Sequence, residues 1–141
     1  MLQTQTAPST QEKRRILIVD DHALVRRGLA ALINAEPDLT VCAEAASRGD
    51  GLVAIAVTRP DLVITDLSLI DGDGLELVRD IRSRHIGLPV LVLSLHDSPK
   101  YVRDAFEAGA KGYLAKQNMT EGLMPAIRSV LRGETYGAPL S

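Results

Sequence analysis

The sequence predicts an α/β fold: a doubly wound, five-stranded parallel sheet with helices on both faces. Three observations predict it. Short apolar runs alternate five times with helix-like segments. Three of those runs are rich in Val and Ile and apolar almost without interruption, as strands buried on both faces must be. The joining loops are short, which suits right-handed crossovers between parallel strands. A chain of 141 residues is long enough to bury one core, and with aromatics at only 3 % that core has to be aliphatic.

The elements follow in order. Residues 1–14 are polar, rich in Thr, Gln and Ser, and read as a disordered tail, with Lys13, Arg14 and Arg15 as its solvated end. RILIVD (15–20) is the first strand. In HALVRRGLAALINAE, Leu24, Val25, Leu29, Leu32 and Ile33 fall at helical spacing and make one apolar face. LTVCAEA (39–45) is the second strand, and its Cys42 reads as a small buried apolar residue. GDGLVAIAVTRP is a weaker helix that has to stop before Pro60. DLVITD (61–66) is the third strand, and GLELVRDIRSR repeats the helical pattern with Leu75, Leu77, Val78 and Ile81. PVLVLS (89–94) and KGYLAK (111–116) supply the last strands. KYVRDAFEAGA and LMPAIRSVLRG supply the last helices, with Phe106 expected in the core and Tyr101 free to serve a partner surface.

Composition excludes several classes. The net charge is −2, so this segment has no electrostatic footprint for nucleic acid and no polybasic membrane anchor. One cysteine allows no internal disulfide. No apolar run approaches the roughly 18 residues of a membrane span. The N-terminus lacks the apolar middle of a secretory signal, which makes the cytoplasm the expected location.

In a parallel sheet all strands point one way, and ligands collect beyond their carboxyl ends. Asp20 and Asp21 end the first strand, Asp66 the third, Ser94 the fourth and Lys116 the fifth. Three carboxylates, a hydroxyl and an ammonium are thereby expected in one pocket. Clustered acids need a counter-charge. Mg2+ is the natural resident, because it prefers octahedral oxygen coordination and is held by one or two carboxylates plus phosphate oxygens. Lys116 offers a compact charge for a phosphoryl oxygen. No Ser–His–Asp or Cys–His set surrounds these strand ends, so the parts suit a phosphoryl group carried on a carboxylate. In DLSLIDGDGLEL, Gly72 and Gly74 permit a tight turn, so that the backbone around Ser68 can offer a carbonyl to the metal.

ILIVDD, DLVITDLSLIDGDGLEL, VLVLS and AFEAGAKGYLAK resemble the receiver domain of a bacterial two-component response regulator over roughly residues 15–135. The resemblance implies a flavodoxin-like fold with strand order 2-1-3-4-5. It also implies Asp66 as phospho-acceptor, and Mg2+ (with Mn2+ or Ca2+ as substitutes) on Asp21, Asp66 and the Ser68 carbonyl. Asp20 would reach the ion through water. Ser94 would be the switching hydroxyl, Lys116 the phosphoryl-contacting lysine, and Tyr113 the aromatic that rotates inward when Ser94 moves. On this pattern the chain has no catalytic residue toward an outside substrate, only self-phosphotransfer and slow autodephosphorylation. Ile70 departs from it, standing where most relatives have proline. Gln117 departs too, and the Lys116–Gln117 peptide, usually cis in receivers, is expected cis here.

GAKGYLAK followed by AIRSVLRGETYGAPLS is similar to the NarL/FixJ subtype. That resemblance implies residues 136–141 as the start of a linker to a helix-turn-helix DNA-binding domain absent from this chain. The implied partners are a cognate histidine kinase, the protein's own output domain and a second copy on activation. DNA would be reached only through the missing domain, and no membrane is involved. The alternatives are a stand-alone receiver acting through protein contacts, or a pseudo-receiver that only binds. An aspartate-nucleophile phosphatase fits poorly, because it needs a second acid where Ser68 stands, and a cobalamin module fails on spacing. His22, His85 and His96 read as loop or helix-end residues, with His96 placed where attacking water could pass.

Overall fold

The structure, a computed structural model, describes residues 12–139. Five strands alternate with five helices: β1 (Arg14–Val19), α1 (Ala23–Asn34), β2 (Leu39–Ala45), α2 (Arg48–Thr58), β3 (Leu62–Thr65), α3 (Gly74–Arg84), β4 (Val90–Ser94), α4 (Pro99–Ala108), β5 (Gly112–Ala115) and α5 (Met119–Leu131). Every pairing in the main sheet is parallel, and the order is β2-β1-β3-β4-β5. This is the flavodoxin-like order that the receiver resemblance implies.

The nearly continuous apolarity of the strands has a direct physical cause. Successive side chains point to opposite faces, and both faces are covered. Ile16, Ile18, Ile64, Leu91 and Leu93 pack under Leu29 and Ile33 of α1 and Leu123, Ala126 and Ile127 of α5. The alternate residues Leu17, Val19, Val63 and Val92 pack under Ile55 of α2, Leu77, Val78 and Ile81 of α3, and Ala105 of α4. Each such Leu, Ile or Val contributes about 1.5–3 kcal/mol by leaving water.

Four expectations need correction. Leu24 is 79 % exposed and Leu32 39 % exposed, so the apolar face of α1 is narrower than its spacing suggests. Leu24 lies five residues before the buried Leu29, about 140° round the helix, and Leu32 sits on the flank of the buried stripe. Secondly, Arg14 opens β1, and neither it nor Arg15 is a free tail residue. Asp61 accepts the Arg15 main-chain N–H at 2.8 Å and lies 3.8 Å from the Arg14 guanidinium. Of the expected tail, residues 1–11 lie outside the described residues. Thirdly, Phe106 is only partly buried, packing against the core from its edge. Fourthly, the Lys116–Gln117 peptide is trans, since no described bond is cis. Without proline, trans is favoured by about 3–4 kcal/mol.

The segment after α5 returns to the sheet. Tyr136 donates its N–H to the Lys111 carbonyl at 3.0 Å and accepts from the Tyr113 N–H at 2.9 Å, forming a parallel bridge along the free edge of β5. Ordered packing thus continues through Tyr136, one residue into the stretch expected as linker. Residues 140 and 141 of that stretch lie outside the described residues.

Candidate functional site

Register builds the site. Val19, the last residue of β1, pairs with Thr65, the last residue of β3, so Asp20 and Asp66 leave the sheet side by side. Ser94, the last residue of β4, pairs with Ala115, the last of β5, and Lys116 follows at once. Asp20 and Asp66 are 2 % and 5 % exposed, and Ser94 is fully buried.

The Lys116 ammonium bridges the two acids, its Nζ lying 3.0 Å from Asp20 Oδ2 and 3.0 Å from Asp66 Oδ2. Burial alone would pull this ammonium's pKa down, but hydrogen bonds to Asp20 and Asp66 outweigh burial and leave it above its ordinary value. Lysine therefore occupies the Oδ2 side of the pocket. The Oδ1 side is different. Asp20 Oδ1 accepts the His22 main-chain N–H at 2.8 Å, and His22 Nδ1 lies 3.2 Å from Asp20 Oδ1 and 3.1 Å from Asp21 Oδ1. Asp21 Oδ1 is itself buried and has no hydrogen-bond partner among the described residues.

One donor atom from each of Asp20, Asp21, His22 and Asp66 lies within 4.8 Å of the others. Three carboxylates against one ammonium leave a formal excess of two negative charges. An orphaned buried carboxylate oxygen, oxygen-rich donors and that charge excess fit a divalent cation. The guanidinium of Arg26, on α1, donates to the Asp20 carbonyl and pairs with Glu44 at 3.3 Å, so the loop holding the acids is braced from behind.

Ser94 and Tyr113 converge on one neighbour. The Ser94 hydroxyl accepts the His96 N–H at 3.0 Å, while the Tyr113 hydroxyl donates to the His96 carbonyl. The Tyr113 ring lies inside, 5 % exposed, and burial pushes its phenol above the usual value. The His96 ring is turned outward and stacks on Tyr101, with centroids 4.4 Å apart.

The DGDG loop is a small antiparallel hairpin, Ser68–Leu69 against Gly72–Asp73, and Ser68 is exposed on it. Asp73 caps α3 by accepting the Leu75 N–H at 2.8 Å. Asp71 reaches across to α2 and accepts the Arg48 and Gly49 N–H groups at 2.7 and 3.0 Å. Those bonds, from Gly49 first and then Arg48, hold the Asp71 carboxyl below its ordinary 3.8. The DGDG loop is in this way fastened to the first turn of α2. A depressed carboxyl stabilises the fold fully above the unfolded value and loses that contribution as pH falls through the lower folded value. Asp71→Ala should therefore lower the urea midpoint at neutral pH, and the gap to wild type should close below pH 3.8. A gap independent of pH would refute the assignment.

Sequence reasoning found Asp20, Asp21, Asp66, Lys116, Ser94 and Tyr113, and the structure brings the first four into one pocket. It missed Arg26 and Asp71; His22, read as a loop or first-turn residue, lies beside Asp20 and Asp21 in their own loop. A separate cleft of about 890 Å³, among Arg14, Asp61, His85, Pro89 and Phe106, contains none of these site residues.

A five-stranded doubly wound sheet thus gathers three acids, a lysine and a buried serine at its carboxyl edge. The chain belongs to the response regulator receiver domain family, which it matches over residues 16–128. It is 38 % identical over 124 residues to the transcriptional regulatory protein UhpA of Salmonella typhimurium, covering 88 % of this chain and 62 % of that protein. It is 34 % identical over 126 residues to the nitrate/nitrite response regulator protein NarL of Escherichia coli, covering 89 % of this chain and 58 % of that one. Among solved structures, a LuxR-family two-component response regulator from Aurantimonas superposes with a TM-score of 0.86 at 37 % identity, covering 91 % of each chain. The chain spans about three fifths of the length of these curated relatives. No helix among the described residues is long and apolar enough to cross a membrane.

Proposed function

We propose that the protein is a phosphorylation switch in which Asp66 accepts a phosphoryl group from a histidine kinase. The observation that carries this is the Lys116 ammonium held between Asp20 and Asp66, which places a cation beside the one acid that ends the central strand β3. An Asp66 oxygen attacks phosphorus, the bond to the donor imidazole breaks, and the new acyl phosphate carries its charge into the pocket. Lys116 is positioned to transfer its bonds from the carboxylates to phosphoryl oxygens. Asp21, Asp66 and the Ser68 carbonyl would hold Mg2+, with Asp20 reaching it through water, and Mn2+ or Ca2+ as substitutes. When bound, the ion would neutralise charge on the transferring group.

Ser94 is the group free to turn toward the phosphoryl oxygens. Doing so releases the His96 N–H and disturbs the peptide that also accepts from Tyr113, which biases two arrangements of β5 and its surroundings. The relatives named as transcriptional regulators support an output that binds DNA, carried by a domain outside these 141 residues, to which the residues after Tyr136 would be the linker. A second copy on activation, a cytoplasmic location, and the absence of any outside substrate beyond self-phosphotransfer and slow autodephosphorylation complete the reading.

Incubation with acetyl phosphate and Mg2+ should add one phosphoryl group by intact mass. The gain should vanish in Asp66→Asn and in metal-free buffer. An equal gain in Asp66→Asn would contradict the reading.

A further inference from the structure

We propose that His22 is a nitrogen donor to the divalent ion of this pocket, so that the site takes Ni2+ or Zn2+ more tightly, relative to Mg2+, than carboxylates alone would. The inference rests on the metal-pocket reading above and adds to it a ligand that is not oxygen.

The geometry points this way. Cis donors on an octahedron with bonds of about 2.1–2.2 Å stand about 3.0–3.1 Å apart. His22 Nδ1 stands 3.1 Å from Asp21 Oδ1, the spacing of two cis donors, and 3.2 Å from Asp20 Oδ1, the acid that reaches the ion through water. They also share a side. Lysine has taken the Oδ2 atoms of Asp20 and Asp66, and Nδ1 faces the Oδ1 atoms of Asp20 and Asp21. The Nδ1 to Asp21 Oδ1 approach is not a hydrogen bond, because that oxygen has no such partner despite the short distance. The Nδ1 contact to Asp20 Oδ1 is a hydrogen bond, whose proton a bound cation would displace, and Asp21 Oδ1 beside it has no partner at all.

The ring can meet the chemical requirement. Its side chain is 60 % exposed, so Nε2 can carry the single proton in water and leave the Nδ1 lone pair free. The main-chain N–H of His22 is bonded to Asp20 Oδ1, which fixes where the ring starts. Imidazole suits Zn2+, Ni2+ and Cu2+, whereas carboxylate, carbonyl and water suit Mg2+. Adding one nitrogen to an oxygen set therefore shifts preference along the Irving–Williams order and leaves Mg2+ nearly untouched.

Mn2+ reports this directly, through the nitrogen modulation of its electron spin echo. With Mn2+ added to the 141-residue chain, we expect 14N coupling that His22→Ala and His22→Gln both abolish and that His85→Ala and His96→Ala retain. By calorimetry His22→Gln should weaken Ni2+ by about tenfold or more while changing Mg2+ by less than about twofold. Mn2+ bound with no 14N coupling, or Mg2+ weakened as much as Ni2+, would overturn the role of His22 alone. Mn2+ failing to bind, or binding equally to Asp21→Asn and Asp66→Asn, would overturn the pocket reading as well.

Discussion

Gly74→Ala is expected to destabilise the protein by about 3 kcal/mol or more, the upper end of what forced overpacking costs. A Cβ at this position would stand 2.1 Å from the Asp66 carbonyl oxygen, 2.7 Å from Leu67 Cα and 3.0 Å from the Asp66 carbonyl carbon. All three are backbone, so no side chain can rotate away. The first turn of α3 is drawn this close because the Gly74 N–H donates to the Leu67 carbonyl at 2.8 Å. Relief requires moving the chain that carries Asp66. The variant should therefore lose phosphorylation even where enough folded protein survives to be assayed. Gly28→Ala is the matched control. It sits exposed on α1 with nothing within 4 Å of its added Cβ, and should stabilise by about 0.5–1 kcal/mol. Urea denaturation of both variants decides it. Equal, small effects at the two glycines would show that the acceptor loop tolerates displacement.

Lys116→Ala is the second large effect. The ammonium is the cation directly bridging Asp20 and Asp66, and the three side chains are 9 %, 3 % and 7 % exposed. Removing one member of a buried ion cluster leaves the others without compensation, at about 3–5 kcal/mol in well-enclosed sites. Here the half-open Asp21 side lets water in, so the lower end, about 3 kcal/mol, is expected in metal-free buffer. Mg2+ should raise the midpoint of the variant more than that of wild type, because it replaces the missing positive charge and binds only the folded state. A variant as stable as wild type, with no larger response to Mg2+, would remove Lys116 from the electrostatics of the pocket.

Much of this was legible in the chain. The strands declared themselves because both faces of the sheet are covered, which forces runs such as Ile16–Val19 and Val90–Leu93 to be apolar at every position. The acids at the ends of those runs then became neighbours by topology. What the sequence hid depends on contacts distant along the chain. Arg26 reaching the Asp20 carbonyl, Asp71 capping α2 and Tyr136 returning to the edge of β5 leave no local pattern. Leu24 misled because helical spacing marks a stripe without saying how wide the covered part is.

The central claim is that the phosphoryl group resides on the carboxylate of Asp66. Borohydride reduction after treatment with acetyl phosphate and Mg2+ converts an acyl phosphate to the corresponding alcohol, so an aspartyl phosphate leaves homoserine at the modified position. Peptide mass spectrometry should find homoserine at position 66, and aspartate unchanged at positions 20 and 21. Homoserine at position 20 or 21, or modification of a histidine in place of any aspartate, would contradict the account.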